Sequence, residues 1–331
     1  MTARDPQTNQ PRKRRRRLLH TLIWGTAALG LPALANALIA SRNRRLESPA
    51  WGRPRRYSSR HGEIGFQQIG EGTPVVMVHS LGPGHDAEQW RDAGLLIARR
   101  HRVYAIDLLG WGHSDKPTVD YDAELYIQLL KDFIEEVVRD RTALVGTGLT
   151  ASYAAQVAAD SPEMVTGLGL TSPLGLGSHA EEPDLADALT NRALRLPLVG
   201  STILNLYTSH GAITRHLRRE VYGSADRVDA ARIERHYLSS HQPGSHLALA
   251  ALLSGYLNHD VEPSVARLDL PVWLAWGRRS THPAVEVADL WLSRLRGAEL
   301  DVFDDAGRLP HQEAPQAYAE RLLAFIDRSV G

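Results

Sequence analysis

Hydroxyl, imidazole and carboxylate side chains occur in two parts of this sequence at positions that could support acyl transfer. Thr150 and Ser152 closely follow a short apolar run and could act as nucleophiles. His311 could serve as their base, with Asp305 or Glu313 to orient it. A hydroxyl, a base and an orienting carboxylate are the three groups that this chemistry needs. Thiol nucleophiles are excluded, because the 331 residues include no cysteine.

Nothing in the sequence supports a metal ion or an organic cofactor. Without cysteine there is no Cys-ligated zinc, iron–sulfur cluster or disulfide framework. The run His85-Asp86-x-Glu88 has side chains of the right type but no second group at a metal-site spacing. We therefore expect no metal and no cofactor.

Charge is distributed unevenly along a chain whose formal net charge is zero. Residues 1–60 contain 14 Lys and Arg but 2 Asp and Glu, whereas residues 61–331 contain 24 and 36. An acidic body does not suit a polyanionic partner, because phosphate binding needs a positive face. The sequence therefore argues against nucleic acid as a partner, and the basic N-terminus needs a separate explanation.

The N-terminal region has the pattern of a membrane anchor. Residues 1–17 form a basic arm, and Leu18–Ala40 then runs for 23 residues without Asp, Glu, Lys or Arg. As a helix this segment would be roughly 34 Å long, enough to cross a hydrocarbon core of about 30 Å. Arginines on both sides could pair with lipid headgroups. The sequence predicts association with membrane lipid through this segment.

Two other interpretations of the segment stay open. Arg15-Arg16-Arg17-Leu18-Leu19 is similar to a twin-arginine export signal, and Ala33-Leu34-Ala35 fits a small-x-small cleavage pattern. The third interpretation is a buried core helix. Seven basic residues precede the segment and seven follow it within residues 41–60, so the side of the membrane is undetermined.

From residue 61 onward, short apolar runs alternate with longer helical patterns, after a linker predicted over residues 41–60. This alternation predicts an α/β fold, with a mostly parallel, doubly wound sheet that helices cover on both faces. The predicted strands are Ile64–Ile69, Val75–His79, Val103–Leu108, Ala143–Val145, Val165–Leu170, Val272–Trp276 and Leu300–Phe303. The predicted helices are Ala87–Arg99, Ala123–Val138, Leu149–Ala159, Ala284–Leu295 and Pro315–Asp327.

The alternation stops over residues 173–269, where the pattern becomes helical. The core is therefore predicted over residues 61–172 and 270–331, with a helical insertion between its two parts. Such an insertion would lie over the carboxyl ends of the strands, where doubly wound sheets bind ligands.

Several linked motifs resemble the α/β-hydrolase superfamily. They are the run Pro74–Gly82, then Trp90, then Val103–Pro117 with its Asp107-Leu-Leu-Gly-Trp-Gly-His-Ser-Asp segment, and Pro271–Gly277. The sequence is most similar to the lidded branch that holds epoxide hydrolases, haloalkane dehalogenases and carbon–carbon bond hydrolases. The resemblance covers about residues 61–331, and it implies that residues 173–269 are the family's lid.

All three catalytic positions that the resemblance implies are substituted. The family nucleophile lies in a Gly-x-Ser-x-Gly elbow, and its position here is Gly148. The acid position, three residues after Gly277, is Ser280. The histidine position, directly after the Ala-Gly pair, is Arg308, and His311 lies three residues further on. Glycine has no nucleophile and arginine cannot act as a base, so triad hydrolysis is not expected.

The backbone N–H groups of Leu81 and Leu149 would still form the family's oxyanion hole. With the fixed cation of Arg308, they would suit a carboxylate or another anion. The sequence therefore predicts a membrane-associated, non-hydrolytic protein that binds a small apolar or anionic ligand under the lid, or a protein partner. The alternatives are an active ester hydrolase with a displaced pair, Thr150 and His311, and a structural protein with a filled pocket.

Overall fold

The computed structural model describes residues 32–39, 41, 46–47, 51–177, 180–181 and 183–330. An eight-stranded sheet runs through the centre, in the hydrogen-bonded order β1-β2-β4-β3-β5-β6-β7-β8. The first two strands are antiparallel to their neighbours, and all later pairs are parallel. The strands are β1 (Arg53–Ser59), β2 (Gly62–Ile69), β3 (Pro74–Val78), β4 (Arg102–Ile106), β5 (Thr142–Thr147), β6 (Val165–Thr171), β7 (Val272–Gly277) and β8 (Glu299–Phe303).

Helices cover both faces of the sheet, which confirms the predicted fold class. On one face α1 packs against α12, and on the other α2 packs against α3. The α-helices described are α1 (Arg91–Ile97), α2 (Ala123–Phe133), α3 (Leu149–Asp160), α4 (Leu185–Leu194), α5 (Val199–Tyr207), α6 (His210–His216), α7 (Ala230–Ser240), α8 (Ser245–Leu253), α9 (Glu262–Val265), α10 (Ala288–Arg294), α11 (Pro310–Glu313) and α12 (Pro315–Val330).

All seven predicted strands are present, and the eighth corrects the predicted linker over residues 41–60. Residues 53–59 form β1, an edge strand whose register sets Tyr57 against Ile64. Only Tyr57 among its seven residues is buried, and three of the exposed ones are arginines. An edge strand that faces solvent on most of its surface has no apolar run, and the sequence pattern therefore missed it.

Between β6 and β7 the described residues form helices and turns but no strand, as the sequence predicted. This helical insertion follows the carboxyl end of β6. Because β3 to β8 are parallel, the loops after β3, β5, β7 and β8 all meet at that same edge of the sheet. The edge carries every residue of the candidate site.

The predicted membrane segment, Leu18–Ala40, is described only over residues 32–39, which are helical. Its residues 18–31 and 40 lie outside the described part of the chain, as does the basic arm over residues 1–17. Among the residues that the structure does describe, no helix combines the length and the hydrophobicity needed to span a bilayer.

Candidate functional site

The sharp turn between β5 and α3 has the backbone of a nucleophile elbow. At its apex Gly148 has φ +64° and ψ −127°, backbone angles that residues other than glycine rarely adopt. Its N–H donates to the Thr171 carbonyl at 3.0 Å, and its own carbonyl accepts the N–H of Leu174 at 3.1 Å. The elbow is therefore intact as a backbone structure, although the residue at its apex has no side chain.

Open space surrounds the apex of the elbow. A Cβ built on Gly148 would have one heavy-atom neighbour within 4 Å among the described residues, the Cβ of Ser80 at 3.8 Å. The neighbouring Gly146 is different, because a Cβ there would lie 2.6 Å from the Thr150 carbonyl oxygen. Gly146 is required by packing against α3, whereas Gly148 leaves room for a reacting group that the chain does not supply.

Ser280, at the position of the family acid, is engaged within its own turn. Its hydroxyl donates to the carbonyl of Pro283 at 2.8 Å, and its N–H donates to the carbonyl of Gly277 at 3.1 Å. The side chain is buried and carries no charge. This position therefore stabilises the turn after β7 and cannot orient an imidazolium.

Arg308, at the position of the family histidine, is a buried cation. The residue is 8% exposed, and among the described residues its Nε has no hydrogen-bond partner and no carboxylate forms an ion pair with its guanidinium. Burial lowers its pKa, against the opposing effects of Glu220 and Tyr207. Arginine keeps its proton at any pH that the protein experiences, so the charge persists.

Two backbone contacts hold the Arg308 loop against the insertion. The N–H of Arg308 donates to the Val221 carbonyl at 2.8 Å. The buried carboxylate of Glu313 accepts the N–H of Gly307 at 2.6 Å and that of Gly223 at 3.0 Å. The Arg308 backbone is therefore held where the insertion meets the loop after β8, because the Val221 carbonyl and the Gly223 N–H both bond to that loop.

Three histidines lie within the electrostatic reach of Arg308. Burial is the main cause of the lowered pKa of His85, His216 and His282, and the Arg308 charge lowers all three further. Buried Nε2 atoms of His85 and His216 lack hydrogen-bond partners in the described structure. Among the described residues, the site thus combines the unpaired cation of Arg308 with two unsatisfied ring nitrogens, those of His85 and His216.

Sequence reasoning missed the pairing of Ser80 with His85. The Ser80 hydroxyl lies 2.7 Å from His85 Nδ1, and the amide of Gln89 donates to the same hydroxyl at 3.0 Å. In the tautomer protonated at Nε2, His85 accepts the hydroxyl proton at Nδ1. The two residues are five positions apart in the sequence, and the turn after β3 brings their side chains together. The motif itself gave one signal, a serine where the family usually has glycine.

The displaced pair that the sequence suggested, Thr150 and His311, shares no hydrogen bond. The Thr150 hydroxyl is fully buried and donates to the Thr147 carbonyl at 2.9 Å. His311 stacks on Trp90, with ring centroids 4.0 Å apart, and neither of its ring nitrogens has a partner among the described residues. Burial lowers the pKa of His311 to about 3. Ser152 likewise donates to its own helix, at the Leu149 carbonyl.

The two backbone donors that the sequence predicted belong to the turns after β3 and β5. Leu149 is the first residue of α3, and its cap, Gly148, makes no side-chain cap hydrogen bond. A helix start leaves such N–H groups without an intrahelical acceptor. Leu81 follows Ser80 in the turn that His79 stabilises, since the His79 ring bonds the Ser80 carbonyl at 2.8 Å and accepts the Leu108 N–H at 3.1 Å.

The described residues contain no cluster of three or more His, Cys, Asp or Glu that could hold a metal ion. Asp86, in the motif that resembled a ligand set, instead pairs with Arg235 at 2.7 Å and accepts the N–H of Glu88.

Fold, elbow and motif order together define an α/β hydrolase scaffold, and comparison with known proteins agrees. The sequence model of the alpha/beta hydrolase family matches residues 75–321, and the chain belongs to that family.

Relatives by sequence include two hydrolases. The 2-hydroxy-6-oxo-6-(2'-aminophenyl)hexa-2,4-dienoic acid hydrolase of Metapseudomonas resinovorans is 25% identical over 273 residues, covering 80% of this chain and 88% of that protein. The pimeloyl-[acyl-carrier protein] methyl ester esterase of Aliivibrio fischeri is 23% identical over 266 residues, covering 80% of this chain and 97% of that protein.

Solved structures show the same fold. The crystal structure of a bacterial membrane phospholipase A matches with a TM-score of 0.68 at 23% identity, over 96% of this chain and 99% of that one. An epoxide hydrolase matches with a TM-score of 0.68 at 19% identity, over 83% of this chain and 98% of that one.

Proposed function

We propose that this chain is a non-hydrolytic member of its family that binds a small organic anion, a carboxylate by chemistry, above Gly148. The guanidinium of Arg308 would contact the anion, and the N–H groups of Leu81 and Leu149 would complete its hydrogen bonding. The positions that carry out hydrolysis in the family would then bind a ligand in this chain without cleaving it.

The unpaired charge of Arg308 is the observation that supports this proposal. Burying a cation without a partner is costly, and proteins that retain one generally pair it or bind a ligand with it. Glu220 is the carboxylate that raises the pKa of Arg308, but Glu220 is exposed and accepts a hydrogen bond from His216 at 2.8 Å. A ligand carboxylate would supply the missing partner and a bidentate hydrogen-bonding surface.

Calorimetric titration of the full chain with straight-chain carboxylates, from acetate to octanoate, tests the proposal. We expect binding by the parent and a loss of at least about tenfold in affinity for Arg308→Ala, the usual value of a hydrogen bond to a charged group. Arg278→Ala is the matched control, because Arg278 is exposed and pairs with Asp304 at 2.6 Å. Equal affinity of Arg308→Ala and parent would refute the proposal.

The Ser80–His85 contact favours a second candidate, an active ester hydrolase with a displaced nucleophile. At 2.7 Å the hydroxyl and imidazole have the separation of a nucleophile and its base, beside the open space at Gly148. The complete burial of both residues and the strongly lowered pKa of His85 weaken this candidate. It replaces the pair Thr150 and His311, which share no contact.

Turnover of p-nitrophenyl butyrate and labelling by a fluorophosphonate distinguish the two candidates. The leading proposal predicts that the parent, Ser80→Ala and His85→Ala all give the background rate and that no serine is labelled. Labelling at Ser80, with turnover abolished in Ser80→Ala and retained in Thr150→Ala, would establish the second candidate.

A further inference from the structure

The helical insertion exposes six large aliphatic side chains on α4, on α5 and in the turn between them. Each is between 44% and 78% exposed, whereas soluble proteins rarely leave a contiguous group of such residues in water. Helices α4 and α5 pack against each other, which brings the six together. We call this group the insertion face; it consists of Leu185, Leu189, Leu196, Val199, Ile203 and Leu206.

An open groove of about 590 Å³ enters the protein from this face. Its lining includes Leu185, Leu189 and Leu196 of the insertion face. It also includes the ion pair of Arg195 with Asp120. The groove does not include Gly148 or Arg308 in its lining, so it is separate from the anion site. Its volume and the apolar side chains in its lining suit an extended hydrocarbon chain.

The N-terminal apolar segment meets the insertion face directly. Within the helical residues 32–39, the Asn36 amide donates to the Thr202 hydroxyl at 3.1 Å and accepts from the Asn205 amide at 2.9 Å. Thr202 and Asn205 both belong to α5. Leu34 and Leu38 of the same segment are exposed, so the apolar surface continues from α5 onto the segment. The polar pairing at Asn36 fixes this arrangement.

Charge distinguishes the same region from the rest of the protein. Residues 61–331 carry 24 Lys and Arg against 36 Asp and Glu, yet residues 185–219, which include the whole insertion face, have five arginines and one carboxylate, Asp187. Arg192 lines the groove, and Arg218 and Arg219 are exposed beyond α6. An apolar face beside a local positive charge matches the interface of an anionic bilayer.

We propose that the insertion face docks onto an anionic lipid bilayer, with its leucines among the acyl chains and its arginines among the headgroups. The groove then admits a lipid acyl chain from the bilayer. This inference does not depend on the anion site at Arg308. It concerns a different surface, and its occupant is the lipid itself.

The absence of cysteine from the chain allows a site-specific test. Leu189→Cys and Leu206→Cys, each in the full chain, would carry an environment-sensitive nitrobenzoxadiazole label. The probe is a vesicle of phosphatidylcholine and phosphatidylglycerol in equal parts, with or without a doxyl-labelled lipid. Leu290→Cys is the matched control, because Leu290 is 37% exposed on α10, outside the insertion. Circular dichroism confirms that each variant is folded.

We expect a blue shift and doxyl quenching at positions 189 and 206 and neither effect at 290. Vesicles of phosphatidylcholine alone should give a weaker response, because they lack the headgroup charge. Failure of the full chain to bind anionic vesicles would overturn the proposal. So would binding without quenching at 189 and 206, which would mean that the N-terminal segment alone holds the protein. Labels already shielded in the absence of vesicles would show that the chain itself covers the insertion face, and this result would also overturn the proposal.

Discussion

Two buried charges lie at the same edge of the sheet, after the two outermost strands of its parallel part, and their surroundings differ. Asp107, after β4, accepts the N–H of Ala87 at 2.7 Å and the N–H of His113 at 2.8 Å, and the His113 ring lies 3.1 Å away. Arg308, after β8, has no ion-pair partner among the described residues. The charge of Asp107 is satisfied within the chain, and this contrast supports our proposal that Arg308 binds a partner from outside it.

The contrast extends to the energetics of each loop. Burial alone would raise the pKa of Asp107, but the hydrogen bond and charge of His113 lower it to about 2. The ionised carboxylate is therefore favoured by the fold. Burial also opposes the charge of Arg308, and the described structure supplies little to offset that effect. One loop is stabilised by its charge and the other is destabilised by it.

Removing the satisfied charge should have the largest effect. Asp107→Ala leaves the Ala87 and His113 N–H groups without an acceptor in a buried loop, and we expect it to lower the free energy of unfolding by about 3–5 kcal/mol. Urea denaturation followed by circular dichroism measures this. Asp115→Ala is the control, because Asp115 is half-exposed and its pair with Arg56 is 3.7 Å long. A loss below about 1 kcal/mol for Asp107→Ala would remove the contrast.

Rebuilding the family's triad tests whether the lost side chains alone prevent hydrolysis. A chain with Gly148→Ser, Ser280→Asp and Arg308→His should hydrolyse p-nitrophenyl butyrate about 10²-fold faster than the parent, a typical effect of a positioned base. Gly148→Ser alone should stay at the parental rate, because arginine cannot accept the proton. Equal rates for the single and triple variants would mean that Arg308 is not the obstacle. The observation that allows the design is the open space at Gly148.

Acid should weaken the parent through Asp107. The folded-state pKa of Asp107 is about 2, below the ordinary value of 3.8. The contribution of Asp107 to the free energy of unfolding is therefore complete above about pH 4 and is lost as the pH falls toward 2. Unfolding free energies of the parent and of Asp107→Asn, measured between pH 6 and 2 on the same buffers, should converge in that window. A constant difference between them would contradict the lowered pKa.

Neutralising the unsatisfied charge of Arg308 should have the smallest effect on the free energy of unfolding, and it should stabilise the protein, whereas the loss of Asp107 destabilises it. Arg308→Met keeps the length of the side chain and removes the buried cation, and we expect the ligand-free protein to gain about 1 kcal/mol of unfolding free energy. Arg278→Met, at an exposed and paired position, should change little. Destabilisation by Arg308→Met would assign a structural role to Arg308 and would count against the anion site.

Most of the fold was predictable from the sequence because its strands are buried on both faces. β3, β5 and β7 are fully buried, so they read as continuous apolar runs between helical patterns. β1 was missed for the opposite reason, since only Tyr57 points into the protein. A strand could be predicted from the sequence when enough of its side chains were apolar and buried, whatever its place in the sheet.

The positions of the site were predictable, but its contacts were not. Motif order places Gly148, Ser280 and Arg308 at one edge of the sheet, and the elbow dihedral angles of Gly148 agree with that placement. Whether a side chain finds a partner depends on packing across elements that are distant in sequence. His311 illustrates this, because its stacking on Trp90 joins residues more than two hundred positions apart. No local pattern encodes such a contact.

An anion located at Arg308 is the most direct test of the account. Crystals of the full chain soaked in sodium bromide would show bound anions through the anomalous signal of bromine. We expect a peak about 3.3 Å from the guanidinium of Arg308, facing the N–H groups of Leu81 and Leu149, and its loss in Arg308→Ala. Bromide at exposed arginines only, with none beside Arg308, would contradict the claim that this buried cation is kept for an external ligand.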